Sequence, residues 1–359
     1  MSFTFGKNFR VTVFGESHGD SIGVVVEGSP SGMRIDLSFI QRELDRRKPG
    51  GVFTSRRKER DKVETLSGIF NGKTTGAPVT MRIKNEDIDS EPYDMIKDTP
   101  RPGHADLTAH YKYGFYDHRG GGIFSGRVTA AIVMAGALAK EILLQNEIKI
   151  LAHVIQIGDI RVSKEISDED IERNVPISNV NCADLDVSKR MEEEVLRAKK
   201  DGDSVGGIVE CRVIGVPIGI GDPIFDSIES VLSHMIFSIP GVKGIEFGSG
   251  FSSASMKGFQ HNDPFFIRNG KILTLTNNSG GILGGISNGM PIVFRVAMKP
   301  TSSIMKKQRT VNIKKMEECE IYLRGRHDPC IAIRAVPVIE NAASIVIADL
   351  IWDKIYKSL

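Results

Sequence analysis

Between Arg101 and Arg127 the sequence RPGHADLTAHYKYGFYDHRGGGIFSGR gathers three histidines (His104, His110, His118), three arginines (Arg101, Arg119, Arg127) and six glycines. Imidazoles titrate near neutrality and can move protons. Guanidinium groups are planar, charged forks suited to phosphate or carboxylate. Gly120, Gly121 and Gly122 let the backbone come close to a ligand. The apolar run from Val128 to Leu144 reads as a buried helix, so Ser125 to Thr129 would open it, where unpaired N–H groups favour an anion.

Other segments carry the same chemistry. His18 lies in a Gly-Glu-Ser-His-Gly turn between two strands, and Lys299-Pro300-Thr301-Ser302-Ser303 place an ammonium and three hydroxyls at one corner. That corner reads as a phosphate cradle or an ordinary loop. Asp328, between His327 and Pro329, reads as a carboxylate base or an Asx turn ahead of proline. The glycines of 280–289 would let backbone lie flat against a planar ring.

From Arg42 to Lys62 nine Lys/Arg stand against four Asp/Glu, in a chain of net charge +2. We read this segment as a clamp on a multiply anionic small molecule. The alternative, a polyanion- or nucleic-acid-binding protein using 42–62, would favour more aromatics than Phe53 and a wider basic surface.

These groups need elements to hold them. Phe9–Phe14 and Ile22–Glu27 read as strands, as do Val63–Leu66, Val79–Ile83 and Ile148–Ile157. A helix capped by Asp36 or Ser38 would run to about Arg47 with Phe39, Ile40 and Leu44 on one face. Helical spacing recurs over Lys189–Lys199, Ile224–Ile239 and Ile339–Tyr356. GIFNGKT fails as a P-loop because three residues, not four, separate Gly68 from Gly72, and it reads as a turn.

Gly19-Asp20-Ser21-Ile22-Gly23 recurs as Gly202-Asp203-Ser204-Val205-Gly206, and Gly76–Ile83 recurs as Gly289–Val296. In each copy a helix lies between the two members, Asp36–Arg47 in the first and Ile224–Ile239 in the second. The order suggests an internal duplication within a single α+β domain, with pseudo-repeat halves of about 1–150 and 200–359.

The 359 residues are 40% apolar and 26% charged, a globular composition, and the four cysteines lack metal-type spacing. We expect buried thiols in a reducing compartment, no metal, no signal peptide and no apolar run of the ~20 residues that span a bilayer. The expected location is the cytoplasm, with neither nucleic acid nor membrane as partner.

GESHG at 15–19, DRRKPG at 45–50, RPGHAD at 101–106, GGG and SGR within 120–127, NNSGGILGG at 277–285, KPTSS at 299–303 and GRHDPC at 325–330 stand in the order found in chorismate synthases. The resemblance covers nearly the whole chain. It implies a β-α-β sandwich with duplicated halves, a homotetramer, and a lyase that converts the small molecule 5-enolpyruvylshikimate 3-phosphate to chorismate by 1,4-elimination. It also implies reduced FMN as cofactor, with NADPH a candidate reductant.

By the same resemblance His104 is similar to the acid that protonates the departing phosphate, and His18 to the partner of the anionic end of reduced flavin. Asp328 resembles the carboxylate near flavin N5. Ser125, Gly284, Lys299, Pro300, Thr301, Ser302, Ser303 and Arg326 look like the flavin cradle. Arg42, Arg46, Arg47, Arg127 and Arg334 look like the clamp on the substrate's phosphate and carboxylates. Where many members have Arg-Ser-Ser and Arg-Glu-Thr, this chain has Ile123-Phe124-Ser125 and Arg127-Val128-Thr129, which leaves main-chain contacts or stacking on Phe124 for the flavin or substrate there.

Overall fold

The computed structural model describes residues 3–50, 53–54, 60–323 and 327–357. Strands β1 (Thr4–Phe5), β2 (Arg10–Gly15) and β3 (Ser21–Glu27) precede α1 (Leu37–Arg47). Then come β4 (Glu64–Ser67), β5 (Ile69–Phe70), β6 (Lys73–Thr74), β7 (Val79–Lys84), α2 (Glu91–Asp94), α3 (Asp106–Tyr113) and α4 (Thr129–Leu144). The chain continues through β8 (Lys149–Ile157), β9 (Ile160–Arg161), α5 (Asp168–Asn174), α6 (Leu185–Lys200), β10 (Gly207–Ile214), α7 (Ile228–Phe237) and β11 (Val242–Phe247). Three two-stranded hairpins, Phe265–Arg268 with Lys271–Thr274, Ile282–Leu283 with Ile286–Ser287, and Lys307–Asn312 with Glu317–Tyr322, flank a long strand at Ile292–Met298. The last helix is Ala332–Lys357.

Two five-stranded sheets carry the architecture. The first has the order β1-β2-β3-β7-β4. In the second, β9-β8-β10 continues into Ile292–Met298 and then β11. Every pairing in both is antiparallel. Setting the short edge strands β1 and β9 aside, the two sheets share one strand order and one sequence of connections. The two sequence echoes fall at corresponding strands of the two sheets.

Between the sheets lie α4 and the C-terminal helix, packed on one another, with α4 against β2, β3 and β7 and the C-terminal helix against β8 and β10. Nearly every residue of α4 is buried, as expected of a helix that is apolar all round. The two helices cross so closely that a Cβ at Gly136 would fall on the Asn341 backbone. The result is an α+β sandwich of two sheets around helices, as the resemblance implied.

A buried ionic cluster pins α1 to this pair. Arg46 donates to Glu43 at 2.9 Å and to Glu340 at 2.6 Å, and Lys140 donates to Glu340 at 2.7 Å. Burial alone would push Glu340 up, but Arg46 and Lys140 hold its carboxyl down at about 2. Its Oε1 also accepts the Ala152 N–H of β8 at 3.0 Å.

The sequence-level helix limits hold for α1, where Asp36 is the N-cap and accepts from the Ser38 N–H. They fail at the C-terminal helix, which begins seven residues before Ile339 and runs through Pro337. Proline there deprives the Ile333 carbonyl of its helical partner. Asn181 Nδ2 donates to that carbonyl at 2.8 Å, so the helix continues. Contrary to the sequence expectation, Ala332–Trp352 is long and apolar enough to cross a membrane, but 89% of that window is buried inside the fold. GIFNGKT forms the β5–β6 hairpin, with Asn71 and Gly72 at φ of 48° and 70°, the backbone that an Asn-Gly turn supplies.

Replacing Asn181 with Ala should lower unfolding stability by about 1–3 kcal/mol through the orphaned Ile333 carbonyl. Urea denaturation of the two proteins measures this, and equal midpoints would contradict it.

Candidate active site

A cleft of about 620 Å³ opens where the C-terminus of α1, the glycine turn before α4, the start of β11 and the first turns of the C-terminal helix meet. Segments far apart in sequence form its wall: Arg47, Arg101 with Gly103–Asp106, Gly120 and Gly121 with Ile123–Arg127, Phe237–Lys243, Lys299 with Thr301–Ser303, and His327–Asp328.

Helical arithmetic explains Arg47. Ile40, Leu44 and Arg47 follow one another at spacings of four and three, so the arginine ends the buried stripe of α1. Its Nε donates to Thr129 Oγ1 at 3.0 Å and its Nη2 to the Gly126 carbonyl at 2.8 Å. Arg127 lies alongside, donating through Nε to Asn85 Oδ1 at 3.0 Å. Arg334 donates to the Arg47 carbonyl at 2.9 Å and to Asp328 Oδ2 at 2.6 Å. Burial, and the neighbouring charges of Arg334 and Arg127, push the Arg47 guanidinium down to about 9, with Asp61 and Asp328 opposing.

The loop bearing His104 is folded by Arg101, whose Nε and Nη2 grip Asp106 at 2.7 and 2.8 Å while its guanidinium covers the Tyr93 ring at 5.3 Å. The Lys299–Ser303 corner clasps that loop. Lys299 Nζ donates to the Gly103 carbonyl at 2.6 Å, and Ser302 Oγ donates to the same carbonyl at 2.9 Å. Thr301 Oγ1 donates to the Asp328 carbonyl at 2.7 Å, which ties the corner to the third segment.

His104 Nδ1 lies 3.0 Å from the Pro102 carbonyl and Nε2 lies 2.7 Å from Ser303 Oγ. A carbonyl only accepts, so Nδ1 carries the proton and Nε2 of the neutral ring accepts from the serine hydroxyl. Burial, with the Arg101 charge beside it, pushes His104 down to about 4. The imidazole is therefore neutral near pH 7 until a negative charge arrives.

Gly120, Gly121 and Gly122 all lie at positive φ (59°, 83° and 53°), where a side chain would be strained. A Cβ at Gly120 would also strike the His18 ring and come within 2.7 Å of Ser17 Oγ. His18 thus stands immediately behind the glycine wall. Its Nδ1 is 2.8 Å from Ser90 Oγ and its ring meets Tyr93 edge-on at 5.3 Å.

The chorismate synthase family model matches residues 9–352. The chain is 51% identical over 347 residues to a protein named chorismate synthase from Methanococcoides burtonii, covering 96% of this chain and 94% of that one. The chain belongs to the chorismate synthase family. A relative of the same name from Dehalococcoides mccartyi is 49% identical over 98% of this chain and 96% of its own length. A solved structure titled as that of a chorismate synthase superposes with a TM-score of 0.78 at 29% identity, covering 98% of this chain and 93% of the other.

Of the residues the family resemblance singled out, the cleft brings together His104, Asp328, Ser125, Lys299, Thr301, Ser302, Ser303, Arg47, Arg127 and Arg334. Others lie elsewhere. Arg42 sits on the outer face of α1, pairing with Asp36 at 3.2 Å with 61% of its side chain exposed. Arg46 is taken up by the buried cluster with Glu43 and Glu340. Neither reaches the cleft of its own chain, because the helix turns them away from the Arg47 face. Gly284 is at an exposed hairpin tip with nothing near its missing Cβ, so the 280–289 run does not face this cleft. Pro300 packs behind the wall against Gly206. Arg326 lies outside the described residues, as do 51–52 and 55–59 of the basic segment.

The sequence reading missed Lys243 and Tyr93 as wall residues. Lys243 stands in a strand with no motif around it, and only the fold brings its charge near Lys299, whose ammonium burial and then Lys243 push down.

The His104 value gives a test. Its folded state titrates near 4 against an ordinary 6.5, so between those limits the unfolded chain binds a proton that the folded chain refuses. Stability tied to this group is present above that window and lost as the pH falls through it. His104→Gln should flatten the decline in unfolding free energy from about pH 7 to about pH 4.5. Urea titrations across that range check it, and parallel declines in the two proteins would contradict it.

Proposed function

We propose that the chain catalyses the 1,4-elimination of phosphate from 5-enolpyruvylshikimate 3-phosphate, giving chorismate, with reduced FMN as cofactor. The observation that carries this reading is the convergence of three guanidinium groups, the His104–Ser303 pair and the Asp328–Arg334 pair on one cleft. A substrate with one phosphate and two carboxylates needs such a frame to leave water.

In the elimination a ring C–H bond and the carbon–oxygen bond to phosphate break, a second ring double bond forms, and the overall change is redox-neutral. Arg47, Arg127 and Arg334 hold the anionic groups and fix the ring. Fixed positive charge also stabilises the phosphate as it leaves. The bound phosphate lifts the depressed affinity of His104 for a proton, so Nε2 turns from accepting the Ser303 hydroxyl to donating toward the leaving oxygen. Asp328, oriented by Arg334, is the carboxylate toward which the ring proton goes.

Reduced FMN, when bound, supplies the electron-rich partner that this unactivated ring requires. The donor set suits it: Ser125 and the Lys299–Ser303 corner offer hydroxyls and an ammonium, and Gly120 and Gly121 leave part of one wall without side chains. His18, directly behind that wall, is placed to answer negative charge on the flavin. Gly284 can join the cradle only where a second chain brings its hairpin tip to this cleft. That agrees with a homotetramer whose subunits are single domains of two pseudo-repeat halves.

Anaerobic assay of the pure protein with photoreduced FMN and substrate, with and without NADPH, tests the reaction; absence of chorismate in both would refute it. His104→Ala should keep FMN and substrate binding while turnover falls by about 10²–10⁴-fold, the range for general-acid roles. Near-normal turnover in that variant would remove His104 from the mechanism.

A further inference from the structure

We propose that Asp61 is a positioning residue for anion recognition, a buried carboxylate that holds the Arg47 and Arg127 guanidinium groups side by side in the orientation the cleft presents. It does not itself line the cleft. Only 1% of its surface is exposed. Oδ1 accepts from Arg127 Nη1 in a short contact, and Oδ2 lies 3.5 Å from Arg47 Nη1.

The two arginines would repel one another at this range, and Arg334 adds a third charge beside them. A carboxylate behind the pair offsets that repulsion from the side away from the ligand. The other edges of both groups are fixed by neutral acceptors: Asn85 Oδ1 and the Lys84 carbonyl for Arg127, Thr129 Oγ1 and the Gly126 carbonyl for Arg47. Asn85 is itself anchored, donating to the Glu16 and Gly19 carbonyls at 3.0 and 2.7 Å. Asp61 is held firmly enough for this task. Its φ is 48°, in the left-handed region that Asp tolerates better than most residues. Gln41 Nε2 of α1 donates to its carbonyl at 3.0 Å.

The role rests on the proposed reaction for the identity of the anion. Asp61→Asn keeps the shape and removes the charge. Titrations with 5-enolpyruvylshikimate 3-phosphate in the presence of oxidised FMN should show substrate affinity falling by about tenfold or more, as when one partner of a buried charge pair is removed. FMN affinity should stay within about twofold, because the Lys299–Ser303 corner does not touch Asp61, and KM should change more than kcat. Unchanged substrate affinity overturns the role, and so does a parallel loss of both affinities, which would mark Asp61 as a support of the fold alone. If Asp61→Asn does not fold, Asp61→Ala with added formate replaces it. Restoration of substrate affinity by formate and not by equal chloride supports the role; no restoration, or failure of this variant to fold as well, counts against it. Wild-type protein that binds no substrate would overturn the proposed reaction and this role together, whereas wild-type binding matched by the variant overturns the role alone.

Discussion

Like charges held close together inside a protein set the terms for everything around them. Arg47 and Arg127 are nearly fully buried, and Arg334 donates to the backbone of one of them. Guanidinium groups do not gather in this way unless counter-charges and carbonyl acceptors surround them. Asp61, Asp328 and the carbonyls of Gly126 and Lys84 supply that surround here. The guanidinium groups that line the cleft are therefore fixed in place by the protein's own acceptors.

The sandwich exists to bring those groups to one place. Arg47 ends α1, Arg334 begins the C-terminal helix, and Arg127 stands one turn before α4. The three helices are locked by the Glu43, Lys140, Glu340 and Arg46 cluster at their flank. One ionic cluster thus fixes the helices, and a second, at their ends, lines the cleft. Close crossing at Gly136 keeps α4 and the C-terminal helix near enough for both. The Lys299–Ser303 corner likewise fixes His104, through a serine 199 residues away.

Much of this was legible in the residues themselves. Period-two strands, the Asp36 cap and the apolar run of α4 follow from local rules, and the repeated segments fall at corresponding strands of the two sheets. The five arginines grouped as one clamp were harder. Helical spacing already separates Arg42 from Arg47, since only the latter continues the Ile40–Leu44 stripe. The partnership of Arg46 with Glu340 spans 294 residues and leaves no local trace. Gly284 serves a hairpin turn away from this chain's own cleft, a placement that its glycine-rich surroundings do not disclose. Pro337 misled at the C-terminal helix because the remedy, Asn181, lies outside the helix. Asp61 gave no signal at all, being one acid in a basic segment.

In the proposed reaction one cleft grips a phosphorylated, doubly carboxylated ring with guanidinium groups while His104 addresses the phosphate. A structure of the protein with oxidised FMN and 5-enolpyruvylshikimate 3-phosphate tests it most directly. The account predicts a phosphate oxygen within about 3.5 Å of His104 Nε2, the ring anions on Arg47, Arg127 and Arg334, and Asp328 facing the same cavity. Substrate bound away from this cleft, or with its phosphate turned from His104, would contradict it.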